Sequence, residues 1–132
     1  MTSAVEFIEY AESVVAREQE TLSSVEIRAA VSRAYYGAYH ACLKFESSLA
    51  YVGREANRPG GIHEKLIQRL GNPDSRLTEP IKLQSRKLSA LLRQSREERE
   101  RADYHIDIDY SFEQAKTAVV EARKIINLSN QS

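Results

Sequence analysis

An arginine and a histidine stand close together near the end of a long helical pattern, in residues 99–105 (RERADYH). Arginine binds phosphate through a planar fork of donors and stabilises the charge that grows on it during cleavage. A neutral imidazole titrates near neutrality and moves protons. Together they suit metal-independent RNA cleavage by the ribose 2′-hydroxyl, a group that DNA lacks. The sequence therefore offers Arg99 and His105 as candidate catalytic residues.

Arg99 lies on a helical face whose other members are mostly apolar. Consecutive helical residues turn by about 100°, so spacings of three and four keep side chains within roughly 80° of one another. The residues with these spacings are Leu88, Leu92, Ser95, Arg99 and Ala102. A guanidinium on such a face needs a partner that satisfies its donors. That partner is either Asp103, in a pair that only fixes packing, or an anionic ligand such as a phosphate.

The two candidate catalytic residues do not share a helical face. In a continuous helix Arg99 and His105 are about 120° apart. They converge only if the helix ends near Tyr104 or if two subunits share the site. We expect Asp103 to orient Arg99, and Tyr104 and Arg101 to contact the substrate.

A second face of the central helical pattern carries polar and aromatic residues. Arg33, Tyr36 and His40 recur at spacings of three and four, opposite the apolar residues of the same helix. They either line a cleft or form an aromatic and polar seam inside the bundle, and the spacing leaves both possibilities open.

Metal and cysteine chemistry are not indicated. His40, His63 and His105 fall on separate elements without the spacing of metal ligands, so no metal and no cofactor is predicted. Cys42 lies on an apolar stripe and is more simply a small buried hydrophobe than a nucleophile. As a lone cysteine it excludes an intrachain disulfide, and the N-terminal residues lack the layout of a secretory signal. We therefore expect a cytoplasmic protein.

Length and charge set broad limits on the function. The chain has 132 residues and a formal net charge of zero, which predicts a single domain over residues 1–132. Residues 53–101 contain twelve Lys or Arg against seven Asp or Glu. This basic half leaves room for a phosphate-rich partner, although solvated helix faces produce the same excess. No apolar run approaches the length of a membrane span.

The elements that must position these residues are helices. Apolar residues recur at helical spacing almost throughout, and glycine and proline mark the breaks. The pattern predicts an all-α, up-and-down bundle of four main helices plus a short fifth helix. The predicted helices span residues 4–19, 23 or 24 to about 51, 62–70, 78 to 101 or 104, and a last helix that begins after the capping box at Ser111.

Two segments of the chain together resemble the HEPN-domain family. Residues 32–41 (SRAYYGAYHA) resemble its RAYYAxFH motif, and residues 99–104 (RERADY) resemble its R-x-x-A-D-Y segment. The resemblance extends from about residue 4 to residue 128. It implies an up-and-down helical bundle that forms a two-fold homodimer, in which both copies build one composite cleft.

The resemblance also implies a function. Many HEPN proteins are metal-independent endoribonucleases, often toxins of toxin–antitoxin modules or defence effectors, with an arginine followed a few residues later by a histidine. Arg99 matches the family arginine because it stands three residues before Ala102, and His105 follows it. The implied partners are RNA and an antitoxin or nucleotidyltransferase. The alternative is a non-catalytic HEPN module that binds a nucleotide or such a partner protein.

Overall fold

Five α-helices dominate the computed structural model, which describes residues 3–105 and 109–131. They pack into one all-α bundle in which α3 is the short helix, and this confirms the predicted fold class. No helix in the described part is long and apolar enough to cross a membrane. The middle of the predicted connection after His105, residues 106–108, lies outside the described residues. The helices are α1 (Ala4–Val15), α2 (Ser24–Ser47), α3 (Ile62–Gly71), α4 (Glu79–Tyr104) and α5 (Phe112–Ser129).

Local caps fix where the helices begin. The Ser111 hydroxyl accepts from the backbone N–H of Gln114, and the Gln114 side chain accepts from the N–H of Ser111, so the predicted capping box is confirmed. Ser23 and Glu26 form the same reciprocal pair at the start of α2. These caps satisfy N–H groups that have no partner in the first helical turn.

Two helices end earlier than the apolar pattern predicts. α1 ends at Val15 because residues 16–21 are all exposed, so no side chain packs another turn onto the bundle. A separate 3₁₀ turn, Gln19–Thr21, follows. α2 ends at Ser47 instead of near Tyr51. At this end, the hydroxyls of Ser47 and Ser48 donate to carbonyls of the last turn.

α2 is the central helix and packs against α1, α4 and α5. Tyr35 and Tyr39, beside its apolar stripe, are also buried, so α2 is covered from more than one side. Cys42 is fully buried, and burial raises the pKa of its thiol to about 12, which confirms its role as a small hydrophobe. The predicted stripe residues that are buried are Ile27, Val31, Ala34, Ala38, Cys42 and Phe45.

α4 holds α3 through two hydroxyl contacts. The Ser85 hydroxyl donates to the carbonyl of Leu70 at 2.7 Å, and the Ser89 hydroxyl donates to the carbonyl of Ile67 at 2.7 Å. Leu88, between them on α4, is fully buried. Because of this docking, the first turn of α3 lies beside the middle of α4, where a row of arginines begins.

Candidate functional site

The guanidinium of Arg99 is held by three side chains. Its Nε donates to Asp103 Oδ2 at 3.0 Å, and Asp103 is one of the two partners that the sequence leaves open. Its Nη2 donates to the hydroxyl of Tyr36 at 3.1 Å and to that of Tyr104 at 3.3 Å. Within residues 3–105 and 109–131, Nη1 makes no hydrogen bond. The Arg99 side chain is only 16% exposed, so these partners provide what water would otherwise supply.

Aromatic rings surround the same guanidinium. The Cζ atom of Arg99 lies 5.4 Å from the ring centroid of Tyr36, 5.7 Å from that of Tyr35 and 5.4 Å from that of Tyr104. Ring faces attract a cation at these distances. Burial lowers the pKa of Arg99, but the tyrosines and the Asp103 carboxylate raise it by more, so its pKa lies above the ordinary value. Arg99 therefore stays charged.

A histidine outside the predicted site lies against this cluster. His63, in the first turn of α3, places its Nδ1 2.6 Å from the hydroxyl of Tyr35. Its ring stacks on Tyr39 with centroids 4.2 Å apart, and its centroid lies 6.5 Å from that of Tyr36. Burial and the nearby charges of Arg96 and Arg99 lower the pKa of His63, so the imidazole is neutral near pH 7.

Three arginines and a glutamate line a cavity of about 470 Å³ next to His63. Arg93 binds the Glu64 carboxylate with both of its terminal nitrogens, at 2.9 and 3.0 Å, and Arg96 Nη1 lies 3.2 Å from it. The hydrogen bond from Arg93 leads in lowering the pKa of Glu64 to about 2. Glu100 also pairs with Arg96, at 3.5 Å. With Arg58, three guanidinium groups line the cavity beside the Glu64 carboxylate.

The C-terminal end of α4 places the other predicted residues apart from this cluster. The helix ends at Tyr104, and the C-cap residue His105 is exposed. Its backbone carbonyl accepts from Arg28 at 3.2 Å, but no contact in the described part of the chain joins its imidazole to Arg99. Arg101 is exposed and pairs with Glu98 at 2.7 Å. One chain therefore brings Tyr104 and Asp103 to Arg99, and leaves His105 and Arg101 apart.

The second face of α2 divides between the cluster and the surface. Tyr36 is half-buried and binds Arg99, so this residue belongs to the cluster. His40 is exposed and stacks on Phe7, with centroids 5.6 Å apart. Arg33 is exposed as well. Neither a continuous cleft nor a fully buried seam describes this face.

Sequence spacing had no means of finding His63. Its contacts with α2 connect residues 28 positions apart, whereas spacing relates residues only along one helix. The available signal was the aromatic run on α2, residues 35–39 (YYGAY), which needed a polar partner for its buried hydroxyl.

Comparisons with protein-family models, with curated proteins and with solved structures found no match to this chain. The resemblance to the HEPN family therefore stays a prediction. Among the residues that the structure describes, no group of three or more His, Cys, Asp or Glu side chains is arranged to hold a metal ion.

Proposed function

We propose that this chain is a metal-independent endoribonuclease of the HEPN type, with Arg99 at its centre. The observation that supports this proposal most is the hydrogen bonding of the Arg99 guanidinium. Arg99 is fixed through Nε and Nη2, while Nη1 keeps its donors free of the described neighbours. A fixed guanidinium with spare donors is suited to bind a phosphate and to stabilise the charge that grows during cleavage.

The cavity lined by three arginines next to His63 favours RNA as the ligand. Arg93 and Arg96 precede Arg99 by six and three residues on α4, so neighbouring guanidinium groups are about one turn apart. Nucleic-acid binding draws most of its affinity from such contacts with the phosphate backbone. A chain of phosphates therefore explains the arrangement better than a single small anion does.

The proposal gives a role to each of the candidate residues at the end of α4. Arg99 binds the scissile phosphate, Asp103 orients Arg99, and Tyr104 and Arg101 contact the substrate. His105 serves as the proton donor to the leaving oxygen. Because His105 lies apart from Arg99 within one chain, the proposal requires a two-fold homodimer in which one copy supplies Arg99 and the other supplies His105. Such an enzyme would act in the cytoplasm as a toxin or defence effector.

The experiment measures cleavage of RNA by the purified protein in the presence of EDTA. We expect cleavage that resists the chelator, spares DNA of the same sequence, and is lost in Arg99→Ala and in His105→Ala. Arg86→Ala is the matched control, because Arg86 is an exposed arginine on the same helix. Cleavage by Arg99→Ala at the wild-type rate would overturn the proposal.

The second candidate is a non-catalytic module that binds a nucleotide or a neighbouring-gene partner protein at the same cluster. The observation that favours it is the separation of the His105 imidazole from Arg99, which leaves the predicted catalytic pair incomplete in one chain. This candidate predicts no cleavage of RNA, together with thermal stabilisation by a nucleotide that Arg99→Ala abolishes.

A further inference from the structure

His63 is held in one orientation by two contacts of different kinds. Its Nδ1 is hydrogen-bonded to Tyr35, and its ring stacks on Tyr39. The ring is half-buried, so it keeps some access to solvent. A histidine held through Nδ1 presents its other nitrogen, Nε2, for chemistry, as in catalytic sites where a third group orients the base.

His63 and Arg99 contact the same two aromatic rings. The Tyr35 ring centroid is 5.6 Å from that of His63 and 5.7 Å from the Arg99 guanidinium carbon. Tyr36 lies between them as well, with its ring near His63 and its hydroxyl bonded to Arg99. An imidazole and a guanidinium that flank the same pair of tyrosines are placed to contact one ribose-phosphate unit together.

From this geometry we propose that His63 is the general base of the RNA cleavage reaction and that Tyr35 is its positioning residue. The inference rests on the proposed function and adds a residue to it. The proposal assigns His63 the tautomer in which Nδ1–H donates to the Tyr35 hydroxyl oxygen, and this tautomer leaves the lone pair of Nε2 as the proton acceptor.

The charges around His63 favour this role. Arg96 and Arg99 face it from α4, His40 lies near it on α2, and Glu64 follows it on α3 with its carboxylate already bound to Arg93. Burial together with the positive neighbours keeps the pKa of His63 below its ordinary value of 6.5. The imidazole is thus unprotonated and able to accept a proton at neutral pH.

The step balances without a further reactant. Nε2 of His63 takes the proton of the ribose 2′-hydroxyl, and the 2′-oxygen forms a bond to the phosphorus bound at Arg99. The bond from phosphorus to the 5′-oxygen breaks, and that oxygen leaves as a hydroxyl after it receives a proton from His105. The products are a 2′,3′-cyclic phosphate and a 5′-hydroxyl end.

The first test replaces the base and then supplies one from solution. We expect His63→Ala to lower kcat by about 10²- to 10⁴-fold, the usual contribution of a general base, with little change in KM. Added imidazole should restore part of the activity to His63→Ala and none to Arg99→Ala. A loss of folding alone would not be rescued by imidazole. Ile62→Ala is the matched control, because Ile62 precedes His63 and is 72% exposed.

The second test examines the pH profile with a variant that keeps the contact. His63→Asn retains a donor for Tyr35 but has no base. Wild-type kcat/KM, which reports the pKa of the free protein, should rise with pH through a midpoint below 6.5, and His63→Asn should lack that rise. Tyr35→Phe should move the midpoint and lower kcat, while KM stays near the wild-type value. Wild-type activity in His63→Ala would overturn the assignment of His63 and leave the role of Arg99 standing, whereas a wild-type protein that cleaves no RNA would overturn both.

Discussion

The Arg99 guanidinium keeps its charge in a nearly buried place because its neighbours are acceptors or ring faces. Asp103 is its carboxylate partner among the described residues, and the Asp103 carboxylate in turn accepts from the Ser32 hydroxyl at 3.3 Å. This second contact connects α4 to α2 through the site itself. The geometry of the candidate site and the packing of two helices therefore depend on the same side chain.

Asp103→Ala tests this double dependence. The change leaves Arg99 Nε and the Ser32 hydroxyl without their acceptor, so we expect the free energy of unfolding to fall by about 1–3 kcal/mol. Denaturant unfolding at neutral pH measures it. Asp109→Ala, at an exposed carboxylate, is the control and should change stability by less than about 0.5 kcal/mol. If Asp103→Ala lowers the free energy of unfolding by as little as the control does, the contacts of Asp103 do not stabilise the packing of α4 against α2.

Only part of this site was within reach of sequence reasoning. Arg99 and Asp103 are one helical turn apart, so their pairing follows from spacing alone. Tyr36 was found as a candidate but not as the partner of Arg99, because that contact joins two helices. Whether the His105 imidazole reaches Arg99 depends on contacts beyond the end of α4, and the pattern of apolar residues carries no information on those contacts.

At the scale of elements, α3 is the piece that completes the site. It is tied to α4 by Glu64 and to α2 by Arg69, whose Nε and Nη2 donate to the Glu46 carboxylate at 2.8 and 3.0 Å. These two pairs lie at opposite ends of a ten-residue helix. They set the orientation in which α3 delivers His63 to the tyrosines of α2.

Glu64→Gln tests the attachment of α3 through its pH dependence. The folded protein holds the pKa of Glu64 near 2, below the ordinary value of 4.5. A lowered carboxylate pKa stabilises the fold above the ordinary value, and this stabilisation is lost as pH falls through the folded value.

The expected difference in unfolding free energy between wild type and Glu64→Gln is about 1–3 kcal/mol at neutral pH. It should shrink between pH 4.5 and pH 2, as measured by denaturant unfolding at several pH values. Glu20→Gln, at an exposed carboxylate of the 3₁₀ turn, serves as the control. A difference that does not depend on pH would rule out the ionised Glu64 carboxylate as the source of the effect.

The helices themselves were more predictable than the contacts between them. Ser111 with Gln114, and Ser23 at the start of α2, are local signals that act within one turn, and both helix starts are where they indicate. The apolar pattern predicts ends for α1 and α2 that lie several residues too late, because the packing of the last turn against the bundle determines where a helix ends. Residue spacing reflects interactions within one or two helical turns, but it does not specify the contacts between helices.

At the scale of the whole molecule, the proposed reaction needs two copies of the chain. In a two-fold dimer, Arg99 of one copy and His105 of the other form each site, so every site takes residues from both subunits. Arg99→Ala and His105→Ala proteins should each be inactive. Mixed in equal amounts and allowed to exchange subunits, they should recover about a quarter of the wild-type activity, because half of the dimers are mixed and one of their two sites is intact.

Subunit exchange is checked directly, by placing an affinity tag on the Arg99→Ala protein and recovering untagged His105→Ala protein with it. If mixed dimers are recovered in this way and the mixture remains inactive, the two residues do not meet across a dimer.

The measurement that decides most directly whether Arg99 carries RNA cleavage is the single-turnover rate with RNA in EDTA, for wild type and Arg99→Ala. Loss of a fixed donor at a developing charge costs about 10²- to 10³-fold in rate. We therefore predict chelator-resistant cleavage by the wild type and a rate at least about 100-fold lower for Arg99→Ala, with Arg86→Ala unchanged. Equal rates for wild type and Arg99→Ala, or the absence of cleavage by the wild type, would contradict this function.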